Sequence, residues 1–115
     1  MTVTIFHNPR CSKSRQTLEL LKSNDVEPNI VEYLKTPPTS AELSNIIKML
    51  GVDIRDIIRT KESEYKEVGA DNKSLSDSEL LSILVATPKL IERPIVITGN
   101  KAAIGRPPEN VLSIL

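Results

Sequence analysis

The stretch His7-Asn8-Pro9-Arg10-Cys11-Ser12-Lys13-Ser14-Arg15 holds the only cysteine and the only histidine of a 115-residue chain. An apolar, β-favouring run, Val3-Thr4-Ile5-Phe6, leads into it, and Leu18, Leu20 and Leu21 follow at helical spacing. A strand, a turn and a helix in that order set the thiol at a helix N-terminus with three basic side chains beside it. Helix-end N–H groups and neighbouring cations stabilise a thiolate, and such settings bring a thiol from about 8.5 down to roughly 3.5–7.5.

A lone cysteine is most often an inert core filler. Cys11, however, lies between Arg10 and Ser12 in a polar run, a poor place for a filler, so a reactive thiol is expected. His7 is either a surface or capping histidine or, from the strand end, a cation or hydrogen-bond partner for the thiolate. Ser14 suits a helix-start cap equally well as a hydrogen bond to the thiolate. With one cysteine there is no intramolecular disulfide, so any redox cycle must take its second thiol from another molecule. The same count fits a cytosolic location.

Fifteen basic and fifteen acidic residues balance to a formal net charge of zero, which leaves no global electrostatic footprint for nucleic acid or an anionic membrane. No window is apolar enough to span a bilayer, and the first strand pattern begins too early to leave room for a signal peptide. One cysteine and one histidine without an acidic cluster cannot complete a metal shell, so no metal is expected. The four glycines, at 51, 69, 99 and 105, form no phosphate-cradling loop.

The elements around the reactive stretch follow in order. Strand Val3–Phe6 precedes a helix over about Ser12–Ser23, with Thr17, Leu18, Leu20 and Leu21 on its apolar face. A second strand is expected over Asn29–Leu34, parallel to the first in a right-handed βαβ unit. Thr39 and Ser76 each open a helix with a capping box, completed by Glu42 and Glu79. Leu43, Ile46, Ile47 and Leu50 make the apolar stripe of the first, and Gly51 stops it. Asp53 is expected to cap a further helix bearing Ile54, Ile57 and Ile58, with a short helix near Ser63–Val68. Strand Ile95–Ile97, a Gly99-Asn100 turn, a strand over Lys101–Ile104 and a last helix bearing Val111, Leu112 and Ile114 complete the chain. The pattern predicts one thioredoxin-like α/β domain over 1–115, with a four-stranded mixed sheet in the order β-α-β, helical insertion at about 39–90, β-β-α.

Three more arginines fall at element junctions: Arg59, Arg93 just before Pro94, and Arg106 just before Pro107. In a thioredoxin-like fold the loop before the third strand sits beside the active-site loop and commonly carries a cis-proline, for which Pro94 is the candidate. Arg93 then points toward Cys11. Guanidinium groups suit tetrahedral oxyanions, since they donate paired hydrogen bonds and keep their charge.

The reactive stretch, taken with Tyr33-Leu34-Lys35-Thr36-Pro37-Pro38, Arg93-Pro94-Ile95-Val96 and Gly105-Arg106-Pro107, resembles the glutaredoxin-coupled arsenate reductase family, over Ile5 to Leu115. Ser12-Lys13 stands where the best-known members carry glycine and threonine. The resemblance implies that Cys11 attacks arsenate, that Arg59, Arg93 and Arg106 hold the oxyanion, and that His7 and Ser14 support the thiolate. It also implies glutathione as co-substrate and glutaredoxin as the partner that resolves the mixed disulfide, with no bound cofactor. Two other readings share the fold: an Spx-type redox-responsive transcription regulator that binds RNA polymerase, and a general glutathione-dependent thiol oxidoreductase. Spx-type proteins commonly switch through C-x-x-C, where this chain has Ser14 in the second position.

Overall fold

A computed structural model describes residues 2–115. They form two compact units: the chain up to Thr36 together with Arg93–Leu115, and Pro37–Glu92. All four strands belong to the first unit. β1 (Val3–Phe6) is central and pairs parallel with β2 (Asn29–Val31) and antiparallel with β3 (Ile95–Thr98), which pairs antiparallel with β4 (Lys101–Ile104). The sheet order β2-β1-β3-β4 is the expected mixed α/β arrangement.

Register decides where the reactive stretch lies. Phe6 is opposite both Val31 and Ile95, and Ile95 is opposite Ile104. The residues that follow Phe6, Val31 and Ile104, and those that precede Ile95, therefore leave the sheet at the same end. One edge of the sheet thus gathers the Cys11 loop, Tyr33, Arg93 and Arg106.

Between the two parallel strands runs α1 (Ser12–Ser23). Its buried face is Ser14, Thr17 and Leu21, more polar than the leucine pattern suggests. Leu18 and Leu20 pack half-buried against a core of Val3, Ile5, Leu21, Val96 and Val111. Burying those aliphatic side chains is worth about 1.5–3 kcal/mol each. The expected strand over Asn29–Leu34 ends at Val31. The amides of Lys35 and Thr36 instead turn back to the Glu32 carbonyl, at 2.9 and 3.0 Å, and Tyr33 is buried from a turn. The last helix, Pro108–Ile114, is a 3₁₀ helix.

In the second unit, α2 (Ser40–Leu50) starts at a Thr39–Glu42 capping box and stops at Gly51 in the left-handed region, φ 70°. α4 (Asp77–Ala86) starts at the Ser76–Glu79 capping box. Between them lies the four-residue α3 (Glu64–Glu67). The helix expected after Asp53 is only a 3₁₀ turn, Ile54–Ile57, because Ile58 turns extended and bridges Ile91. Leu43, Ile46, Ile57, Leu80, Leu84 and Leu90 supply the buried aliphatic surface. Arg55 ties the loop down by donating to the carbonyls of Ala70 and Asn72, at 3.2 and 2.8 Å. Among the described residues no helix is long and apolar enough to cross a membrane.

Candidate active site

Cys11 is the N-cap of α1, with extended backbone (φ −93°, ψ 124°) and a buried side chain. Its own amide donates to the Asn8 carbonyl at 3.0 Å, and its carbonyl accepts from Arg15 at 3.0 Å, so the loop enters the helix through a closed turn. Asn8 Oδ1 accepts from the Arg10 amide at 3.0 Å, and Arg15 Nη1 donates to the Pro9 carbonyl at 2.9 Å. The loop thus holds its shape by its own polar groups before any ligand arrives.

The sulfur meets two kinds of donor. The Lys13 and Ser14 amides approach it without completing a full side-chain cap, and two guanidinium groups approach from the sheet edge. Arg106 Nη2 lies 3.5 Å from Sγ, and the Arg93 guanidinium also hydrogen-bonds the sulfur. Burial pushes the Cys11 thiol up. The amide of Ser14, the hydrogen bond and charge of Arg93 and the amide of Lys13 outweigh it, and the thiol ends below its ordinary value. A thiolate is the reactive form.

The two arginines are themselves held. Arg106 Nε donates to the Arg93 carbonyl at 2.7 Å, which locks the two loops together. The peptide bonds after both arginines, Arg93-Pro94 and Arg106-Pro107, are cis; the first is the one expected from the sequence, the second is not foreseen there. Gly105, between β4 and Arg106, packs so tightly that a Cβ would sit 2.5 Å from Thr17 Oγ1 and 2.8 Å from Pro94 Cγ. Its amide donates to the Pro94 carbonyl at 2.9 Å. Helix α1, the Pro94 loop and the Arg106 loop therefore meet at a position only glycine fits.

His7 and Ser14 form a second layer. Ser14 Oγ accepts from the Asn8 amide at 3.0 Å and lies 2.6 Å from His7 Nδ1. Because that oxygen already accepts an N–H, its own proton is available for Nδ1, the arrangement suited to a neutral imidazole protonated at Nε2. Burial lowers the His7 pKa; Glu32 opposes this, and Arg15 and Lys22 add to it, leaving the ring uncharged at neutral pH. His7 is thereby a neutral hydrogen-bonding group on Ser14. Ser14 is buried at the helix start and presents its amide to the sulfur.

Arg59 lies in the other unit, and its partners are carboxylates. Its Nε is 3.2 Å from Glu62 Oε1 and its Nη1 is 2.9 Å from Glu92 Oε1, with all three side chains about four-fifths buried. Lys89 Nζ lies 3.6 Å from Glu62 and 3.1 Å from Glu64. The Arg59 amide donates to the Leu90 carbonyl at 2.7 Å, which fixes its backbone.

Sequence reasoning singled out Cys11, Arg93, Arg106, His7 and Ser14, and the structure gathers these five at one sheet edge. It missed Tyr33 and Gly105 at that edge, and Glu62 and Glu92 as the partners of Arg59. Tyr33 carried a signal, being one of three aromatic residues in the chain and close to a loop. Glu92 carried none, since its partner is 33 residues away.

A protein-family model described as the ArsC family matches residues 6–114. The chain is 54% identical over 114 residues to YfgD, an uncharacterised Escherichia coli K12 protein, covering 98% of this chain and 96% of that one. It is 51% identical over 116 residues to an arsenate reductase of Haemophilus influenzae, covering 100% of both. The solved structure of an arsenate reductase from Vibrio cholerae superposes with a TM-score of 0.97 at 46% identity, over 100% of this chain and 98% of that one.

Proposed function

The chain belongs to the ArsC family, and on that footing we propose that it reduces arsenate to arsenite through the Cys11 thiolate, with glutathione and glutaredoxin as the thiol donors. The observation that carries this reading is the sulfur itself, at a helix N-terminus and faced by two guanidinium groups. Such a group is both a nucleophile and the neighbour of an anion site.

The reaction balances in three steps. Cys11 attacks arsenic(V), an S–As bond forms, and one arsenate oxygen leaves as water with protons from the medium. The Arg93 and Arg106 charges favour the approach of the anion and stabilise charge on its oxygens. Glutathione then attacks the Cys11 sulfur of the adduct. The S–As electron pair goes to arsenic, which leaves as arsenite, arsenic(III), while the two sulfurs become a mixed disulfide. Glutaredoxin takes the glutathione from Cys11 and restores the thiol. The second thiol has to come from outside, because the chain has one cysteine. A cytosol rich in reduced glutathione is the compartment this chemistry requires. Arg59 enters this reading through the family resemblance, as the third guanidinium for the oxyanion.

The test is NADPH consumption coupled through glutathione reductase, with purified protein, glutathione and glutaredoxin. Consumption is expected to require arsenate and glutaredoxin, and to vanish in Cys11→Ser. Activity that survives Cys11→Ser overturns the proposal.

A further inference from the structure

Arg106 is held at more than one point. Its amide donates to the Ile104 carbonyl at 2.9 Å and its Nε to the Arg93 carbonyl at 2.7 Å, while Nη2 lies 3.5 Å from the Cys11 sulfur. A further hold comes from a side chain: Asn110 Nδ2 donates to the Arg106 carbonyl at 3.0 Å. The reason lies in the residues that follow Arg106. Pro107 and Pro108 have no N–H, and the Asn110 amide is committed to the Pro107 carbonyl, at 3.0 Å. The Asn110 side chain brings a donor where two successive residues have none. Asn110 is itself anchored, because the next residue, Val111, has no exposed surface and packs in the core with Val3, Ile5, Leu21 and Val96. The Arg106 peptide is thereby tied to the centre of the sheet.

We propose that Asn110 is a positioning residue, whose side-chain amide fixes the Arg106 peptide and so keeps that guanidinium on the Cys11 sulfur. The inference rests on the reading of Cys11 as the working nucleophile, but not on the identity of the oxyanion. The Arg106 fork spans two targets at once, the Arg93 carbonyl through Nε and the sulfur through Nη2. Both contacts depend on where the Arg106 backbone stands, and a peptide free to rotate would trade one for the other. A long side chain has much rotamer freedom to lose, so a fixed backbone at its root makes the ordered arrangement easier to reach. Asn110 is exposed, and truncating it opens no cavity, so its effect on the sulfur is read apart from folding.

Asn110→Ala removes the donor, and Asn110→Ser keeps one, a hydroxyl able to reach a carbonyl one turn back. The readout is the pH dependence of Cys11 alkylation by iodoacetamide, which needs no arsenate and reports on one thiol because the chain has only one. Asn110→Ala is expected to raise the alkylation midpoint and to lower the rate at neutral pH by roughly threefold, the scale of one hydrogen bond, since only the thiolate reacts. Asn110→Ser is expected to recover most of that loss, which a merely structural role for the asparagine would not require. In an Arg106→Ala background Asn110→Ala is expected to have no further effect, as for two residues acting through one contact. An unchanged midpoint in Asn110→Ala overturns the proposal. So does Asn110→Ser as impaired as Asn110→Ala, or an effect that persists undiminished in Arg106→Ala. A protein that passes these tests yet turns over no arsenate sinks the arsenate reading and leaves the role of Asn110 standing.

Discussion

Arg93 and Arg106 face a thiol, whereas Arg59 faces two carboxylates. In the first unit the guanidinium groups lie against Cys11, whose thiolate is favoured by the Ser14 amide, by Arg93 and by the Lys13 amide. In the second unit Arg59 contacts the carboxylates of Glu62 and Glu92, at 3.2 and 2.9 Å. The residue type is the same, yet the consequences differ. Cations beside a titratable group change what that group is; a cation between two carboxylates is already neutralised locally. An anion recruited by Arg59 must compete with Glu62 and Glu92. One recruited by Arg93 and Arg106 arrives beside the thiolate that is to react with it.

Removing Arg93 should have the largest effect on that contrast. Arg93→Ala is expected to raise the Cys11 alkylation midpoint and to cut arsenate turnover by about 10²-fold, the scale of losing an electrostatic donor to the reacting centre. Iodoacetamide alkylation across pH and the coupled assay check the two effects separately. In the native protein the midpoint should lie below the ordinary ~8.5, since a thiol whose pKa is lowered turns reactive at lower pH. Arg59→Ala is expected to raise KM for arsenate by about tenfold, the loss of roughly 1.4 kcal/mol of binding, and to leave the alkylation midpoint where it was. A midpoint that moves equally in both variants would erase the distinction between the two environments.

Gly105→Ala probes how the first environment is assembled. The added Cβ meets Thr17 and Pro94 at 2.5 and 2.8 Å, so the variant is expected to lose roughly 1–3 kcal/mol of stability by denaturant unfolding. Its turnover should fall by more than that loss explains, because the displaced backbone carries Arg106. The smallest change has the opposite sign. Glu62→Gln keeps the side-chain shape and removes one of the charges competing for Arg59, and is expected to lower KM for arsenate by about twofold to fivefold. A raised KM would mean that Glu62 orients Arg59 productively instead of holding it back.

How much of this was legible in the sequence depended on how local each cause was. The capping boxes at Thr39–Glu42 and Ser76–Glu79 are four-residue patterns, and both form as read. The limits of α1 and the cis bond before Pro94 were readable too, one from a turn signal and the other from its place before a strand. The end of β2 was not. Ile30, Val31, Tyr33 and Leu34 suit a strand by composition, and only the turn onto the Glu32 carbonyl takes Tyr33 out of it. The turn after Asp53 was capped as expected but cut short, because Ile58 pairs with a residue 33 positions away. In the site, the helix-end thiol and its basic setting were plain. Which guanidinium meets sulfur and which meets carboxylate is decided by contacts made between distant segments, and no local pattern encodes them.

The most direct measurement of the central claim is the intact mass of the protein after incubation with glutathione, with and without arsenate and with no glutaredoxin present. The expected result is one glutathione disulfide-bonded to Cys11, accumulating only when arsenate is added and absent in Cys11→Ser. Adduct that forms equally without arsenate, or none in its presence, would contradict the account.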